Sequence, residues 1–173
     1  MIAFNYVLYY LIILPISLLP FGVLYFISDV LYYVLYKLIG YCKKVVFDNL
    51  RKSFPNKSEK EIEKIGAFFY KHLCDLIVES IKIFTISEEE VRKRMFVINP
   101  ELADKYFHQN KSIIMAGGHY NNWELFAVAI DATIEHKSVA IYKPLSSKFF
   151  DQAMRKTRGK YGLQMISTKK VKD

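Results

Sequence analysis

Ser112-Ile113-Ile114-Met115-Ala116-Gly117-Gly118-His119-Tyr120-Asn121-Asn122-Trp123-Glu124 decides how this chain is read. Ser112–Ala116 is a short apolar run between polar residues and a glycine pair, the pattern of a buried strand. Leu125–Ile130 is apolar and suits a helix. Strand, glycine turn and helix make the repeating unit of an α/β fold, and polar side chains with free N–H groups at such a junction form a natural site. Working outward, Ser138–Tyr142 predicts a second strand, closed by Lys143-Pro144. Phe149–Tyr161 predicts a helix stopped by Gly162, and a third short strand ends at Ile166. The fold class read from this half is α/β, with a partial sheet of about three strands.

The junction also carries chemistry. His119 and Glu124 are five residues apart, about 140° from each other on a regular helix, so they would not share a helical face. To meet, His119 must lie before the helix, and the two glycines permit that backbone. Glu124 could then accept the Nδ1–H of His119 and leave Nε2 as a base. This is the base-and-orienter half of a triad without a nucleophile of its own. No Ser or Cys stands beside it at a suitable spacing. The nucleophile would come from the substrate, as a hydroxyl deprotonated by His119 while it attacks an activated acyl carbonyl. A structural histidine at a helix N-terminus fits the same spacing. Arg155 and Arg158, three apart, share one face of the following helix. They suit the helix C-terminus, a lipid phosphate or the acidic surface of a carrier protein.

The other end of the 173 residues is apolar. Residues 1–36 hold no Lys or Arg and one acid, Asp29, so the net charge of +8 is concentrated in the rest. An apolar head on a basic body points to a membrane. Ile2–Ser28 has no charged side chain, and about 20 apolar residues suffice to cross a bilayer as a helix. A signal peptide would want basic residues before the run and a small-residue cleavage site after it; neither is present. Pro15 and Pro20 should kink or break the helix, giving one kinked span or a re-entrant pair turning near Pro20. Tyr6, Tyr9, Tyr10, Tyr25, Tyr32, Tyr33 and Tyr36 suit either the headgroup level or helix packing. Lys37, Lys43, Lys44, Arg51 and Lys52 follow, so this flank and the body read as cytoplasmic and attracted to anionic lipid. The cations do not interleave with aromatics as in a nucleic-acid module, and no nucleic-acid partner is expected. Cys42 and Cys74 are too few for a disulfide scaffold and read as free thiols.

Between these ends, Ser58 with Glu61 has capping-box spacing and opens a helix running to about Phe84. Ile62, Ile65, Phe69, Leu73, Leu76, Ile77 and Ile81 predict its apolar stripe. His72 and Asp75 share a face of that helix, but Cys74 points elsewhere, so no metal site is read here. Ser87 opens a further short helix, with Glu88, Glu89 and Glu90 in its first turn. The organisation expected is a membrane-anchoring segment 1–38, a helical region 39–100 and an α/β region 101–173.

Gly118-His119-Tyr120-Asn121-Asn122-Trp123-Glu124 resembles the G-H-x-x-N-W-E form of the H-x4-[DE] motif of the late lipid A acyltransferases, the bacterial lauroyl/myristoyl transferase family. Asn49–Pro55, the His72…Glu79 helix and Tyr142-Lys143-Pro144-Leu145 through Arg155, Arg158 and Gly162 agree in order and kind. The flavour is that of homologues from Bacteroidetes-like bacteria. The resemblance implies a glycerolipid acyltransferase-like core on the cytoplasmic face of the bacterial inner membrane. It implies transfer of a fatty acyl chain from a thioester, of acyl carrier protein or coenzyme A, to a hydroxyl of a lipid A precursor. His119 would be the general base and Glu124 its orienter. Asn122 and Trp123 would shape the site, and Arg155 and Arg158 would meet phosphate. No metal or prosthetic group is implied. Family members run past the end of this chain, so the sequence reads as an N-terminal fragment, poorly stable and nearly inactive alone. The alternatives are an acyltransferase for another phosphate-bearing membrane lipid, or an inactive, membrane-tethered remnant.

Overall fold

A computed structural model describes residues 2–169. The chain is mostly helical with one small parallel sheet, and it divides into two compact units. One is Leu19–Glu79. The other joins the helix before it to everything from Ser80 onward. This division differs from the boundaries at 38 and 100 expected from the sequence.

Leu19–Glu79 is built from α3 (Phe21–Tyr32), continued by π-helical turns over Tyr33–Ile39, then α4 (Lys43–Ser53) and most of α5 (Glu59–Lys82). Pro20, extended at φ −66° and ψ 153°, caps α3, so the helical run breaks there as its missing N–H and fixed φ require. The spanning candidate is therefore not the uncharged run itself. Among the described residues one helix is long and apolar enough to cross a bilayer, Phe21–Ile39, with 19 residues and a mean hydropathy of 1.4. It contains Asp29, whose carboxylate pairs with Lys71 of α5 and holds that ammonium above the usual lysine range. Gly40 ends the helix in the left-handed region at φ 65°.

The α5 start follows the capping-box pattern. Ser58 N–H donates to Glu61 Oε2 at 2.9 Å, and Glu61 N–H donates to Ser58 Oγ at 3.4 Å. Its buried stripe, however, is Ile62, Gly66, Tyr70, Cys74 and Val78, rotated from the predicted one. Phe69 and Ile77 of the predicted set are exposed. The stripe follows shape rather than hydropathy. A Cβ on Gly66 would lie 2.5 Å from the Phe47 ring, so only glycine lets α4 approach. Tyr70 is buried because its hydroxyl donates to the Tyr41 carbonyl at 2.5 Å and its ring stacks on Tyr36 at 4.9 Å. Tyr36, Phe47, Ile62 and Tyr70 form the core of this unit. Cys74 is fully buried, which pushes its thiol pKa up, while Asp75 accepts from the Ser28 hydroxyl at 2.6 Å.

The second unit starts with α1 (Ile2–Leu8), a π-helical stretch Tyr9–Ile13 and α2 (Leu14–Leu18). Pro15 does not break this run: it sits in the first turn of α2, where the wide π turns before it absorb the missing hydrogen bond. Tyr6 and Tyr9 pack on Phe149, at 4.4 and 5.3 Å between ring centres, and Asn5 donates to Ser147 Oγ at 2.9 Å. These two tyrosines thus take part in helix packing.

Beyond α5 come α6 (Glu88–Arg94), α7 (Glu101–Phe107), α8 (Trp123–Thr133), β1 (Val139–Tyr142), α9 (Lys148–Arg158) and β2 (Gln164–Ser167). Ser87 caps α6, accepting from Glu90 N–H at 3.3 Å. β1 and β2 pair in parallel, Val139 opposite Gln164 and Tyr142 opposite Ser167, with α9 as the crossover. Asp131, at the end of α8, accepts from Ser138 N–H at 2.5 Å and fixes the start of β1. Gly162 lies against the same carboxylate at φ 124°, where a Cβ would collide with it. Lys160 and Tyr161 reach the Ile86 carbonyl at 2.9 and 2.7 Å, and burial pushes the Lys160 pKa down.

The expected first strand does not form. Ser112–Ala116 is irregular and open, with Ile114 98% and Met115 53% exposed. A strand exists only through its partner, and among the described residues β1 pairs with β2 alone. The sheet therefore has two strands rather than three.

Candidate functional site

The candidate site is assembled at the N-terminus of α8. Asn122 caps that helix, its Oδ1 accepting from Leu125 N–H at 2.9 Å. Asn121 takes the left-handed conformation at φ 56°, which asparagine tolerates better than most residues, and this turns the chain sharply into the helix. His119 therefore lies before the first helical turn, as the five-residue spacing requires. It is exposed, and its ring meets the edge of Trp123 with centres 5.3 Å apart.

Glu124 sits in the first turn of α8, where the helix dipole favours its charge. Its side chain is only 15% exposed. Both carboxylate oxygens accept from Arg158, in the last turn of α9: Nε to Oε2 at 2.9 Å and Nη2 to Oε1 at 2.6 Å. This two-pronged ion pair fixes both the position and the plane of the carboxylate. No hydrogen bond joins His119 to Glu124 among the described residues. Each carboxylate oxygen keeps a second lone pair, so the fork leaves room for an N–H donor.

The structure thus brings His119, Asn122, Trp123, Glu124 and Arg158 around one helix end. Arg158, expected at a phosphate, spends its guanidinium on Glu124. Arg155 lies one turn earlier on α9, its guanidinium 5.8 Å from the Tyr142 ring centre. The Arg158–Glu124 pair escaped the sequence reading because it joins residues 34 apart on different helices, and no local spacing signals it. Asn122 was singled out for shaping a site, and its observed bond is a cap, a role its position before an apolar helical run does advertise.

Chemically, the arrangement offers an accessible imidazole just before a helix whose first-turn carboxylate is held in place by a guanidinium. No curated protein and no solved structure matches the chain. Residues 2–172 match the family described as bacterial lipid A biosynthesis acyltransferase. With a match over nearly the whole chain, this protein belongs to the bacterial lipid A biosynthesis acyltransferase family.

Proposed function

We propose that this chain transfers a fatty acyl group from a thioester, of acyl carrier protein or coenzyme A, to a hydroxyl of a lipid A precursor at the cytoplasmic face of the bacterial inner membrane. The observation that carries the reading is the exposed His119 imidazole just before a helix whose first-turn carboxylate, Glu124, is fixed in place by Arg158. In the reaction His119 Nε2 takes the proton of the acceptor hydroxyl as its oxygen attacks the thioester carbonyl. The tetrahedral intermediate collapses with cleavage of the C–S bond, and the imidazolium returns the proton to the leaving thiolate. The nucleophile belongs to the lipid, so the chain needs no serine or cysteine at this point.

Glu124 is the orienter. In this reading the His119 ring turns so that Nδ1–H donates to a free lone pair of the carboxylate; such contacts commonly tighten only when substrate is bound. Arg158 is a positioning residue in this reading: it keeps Glu124 aimed, while Arg155 is left to meet an acceptor phosphate. Trp123 packs on the imidazole and limits the directions it can take.

The test is His119→Ala, assayed in membranes for transfer of a labelled acyl chain from acyl carrier protein to a hydroxyacyl-bearing lipid A precursor, with a glycerophospholipid as the second acceptor. General-base catalysis predicts a loss of about 10² to 10⁴ in rate. Transfer at the parental rate by the His119→Ala chain would refute the mechanism, and a preference for the glycerophospholipid would move the acceptor.

A further inference from the structure

A cavity of about 310 Å³ opens within Leu19–Glu79, and Tyr36, Lys43, Lys44, Phe47 and Arg51 line it. Its place follows from the chain. Tyr36 belongs to the last turns of Phe21–Ile39, and Lys43 and Lys44 open α4 after the left-handed turn at Gly40 and Cys42. If Phe21–Ile39 crosses the bilayer, this cavity lies where the helix leaves the hydrocarbon, among the first cations of the chain. The inference rests on that membrane reading.

The walls are aromatic and the rim is charged. Lys43 Nζ stands 4.5 Å from the Tyr36 ring centre and 6.0 Å from that of Phe47, and Lys37 Nζ stands 4.9 Å from Tyr36. Arg51 is already committed, to Glu59 at 2.9 Å and to Asp48 at 3.6 Å. Lys37, Lys43 and Lys44, by contrast, have no carboxylate within ion-pair distance among the described residues. Lys37 and Lys43 thus stand over the Tyr36 ring and Lys44 lines the same cavity, three ammonium groups with no ion pair of their own among the described residues and free to meet an anion. Asp48 and Glu63 also line the cavity. Asp48 is offset by Arg51, while Glu63 opposes a doubly charged guest and favours a singly charged one.

We propose that this cavity binds the phosphodiester of an anionic phospholipid headgroup, with Lys43 and Lys44 on the phosphate oxygens and the glycerol portion lying on Tyr36 and Phe47. A diester carries one charge at neutral pH and two acyl chains that reach into the hydrocarbon beside Phe21–Ile39. Free phosphate carries more charge, meets Glu63 and has nothing for the rings to hold. Such a site gives the chain a preference for anionic membrane.

The experiment uses the full chain purified in a neutral detergent, offered phosphatidylglycerol or phosphatidylcholine, with retained lipid measured by native mass spectrometry. The parent should keep phosphatidylglycerol and lose phosphatidylcholine. Lys43→Gln with Lys44→Gln should weaken phosphatidylglycerol retention by about thirtyfold, the strength of two cations near anionic lipid. Lys60→Gln with Lys64→Gln, which removes equal charge outside the cavity, should change it little, and Lys43→Arg with Lys44→Arg should preserve it. Equal retention of both lipids, equal loss in the two glutamine variants, or displacement of the lipid by millimolar inorganic phosphate would each overturn the proposal. Circular dichroism checks that the double variant is folded; if it is not, Lys44→Gln alone carries the same comparison. Carbonate extraction of membranes tests the spanning of Phe21–Ile39 separately, so a soluble chain and an empty cavity are told apart.

Discussion

Leu19–Glu79 and the segment around His119 handle polar and apolar groups in opposite ways. In the first, buried or partly buried polar groups have partners: Ser28 bonds Asp75, Tyr25 bonds Glu79 at 2.8 Å, and the Tyr70 hydroxyl bonds the Tyr41 carbonyl. Its rings interlock across three helices, and Gly66 sits directly under the Phe47 ring. In the second, apolar side chains such as Ile114 face outward, and His119 and Tyr120 are open to solvent. Helices satisfy their own backbone and need only a matching face, whereas a strand needs another strand. His119 is correspondingly displayed on an irregular segment, while one ion pair between helices fixes the Glu124 carboxylate that follows it.

Breaking the ordered side should have the largest effect on stability. Tyr70 is fully buried, stacked on Tyr36 and bonded to Tyr41. Tyr70→Ala should cost about 3–5 kcal/mol, the range for removing a buried aromatic ring. Tyr70→Phe keeps the ring and orphans a carbonyl, so it should cost about 1–2 kcal/mol. Urea unfolding in detergent, followed by circular dichroism, measures both. Equal costs would mean that the hydroxyl and not the ring holds α5 against the Tyr36 and Tyr41 segment.

The ion pair between α8 and α9 is the intermediate case. Arg158→Ala leaves a carboxylate that is 15% exposed without its partner. We expect a loss of about 2 kcal/mol in stability, below the range for fully buried pairs because the guanidinium is 23% exposed. If Arg158 positions Glu124, acyl transfer should also fall, chiefly in kcat, and Arg158→Lys should recover part of it. If Arg158 instead meets a substrate phosphate, KM rises while stability barely changes. The split between kcat and KM, read with the unfolding curve, separates the two roles.

How much of this was legible follows from where each signal resides. The Ser58–Glu61 and Ser87–Glu90 caps, the break at Pro20 and the stop at Gly162 are written within three or four residues, and local chemistry reads them. The α5 stripe was misplaced because Gly66, Cys74 and Tyr70 are poor markers of a core by hydropathy, although shape and one hydrogen bond make them the buried ones. Pro15 was misjudged because π turns can absorb a proline, which its own neighbours do not announce. At the site, the order His119, Asn122, Glu124 places all three at a helix start from sequence alone. The Arg158 fork does not follow, since it depends on how β1 and α9 bring two helices together.

The smallest expected effect cuts hardest at the comparison. Ile114 stands in the run that reads as a buried strand, and by that reading Ile114→Asn would put a polar group into a core, at a cost of several kcal/mol. In the structure Ile114 is 98% exposed and its segment pairs with nothing among the described residues. The substitution removes no packed surface and buries no amide, so it should change the stability of this chain by less than about 0.5 kcal/mol. The same asparagine at Ile62, which is 1% exposed in the core of Leu19–Glu79, should cost several kcal/mol. Unfolding curves for the two variants side by side test this. A large loss at Ile114 would show that the run finds a strand partner after all, and would restore the third strand to the sheet.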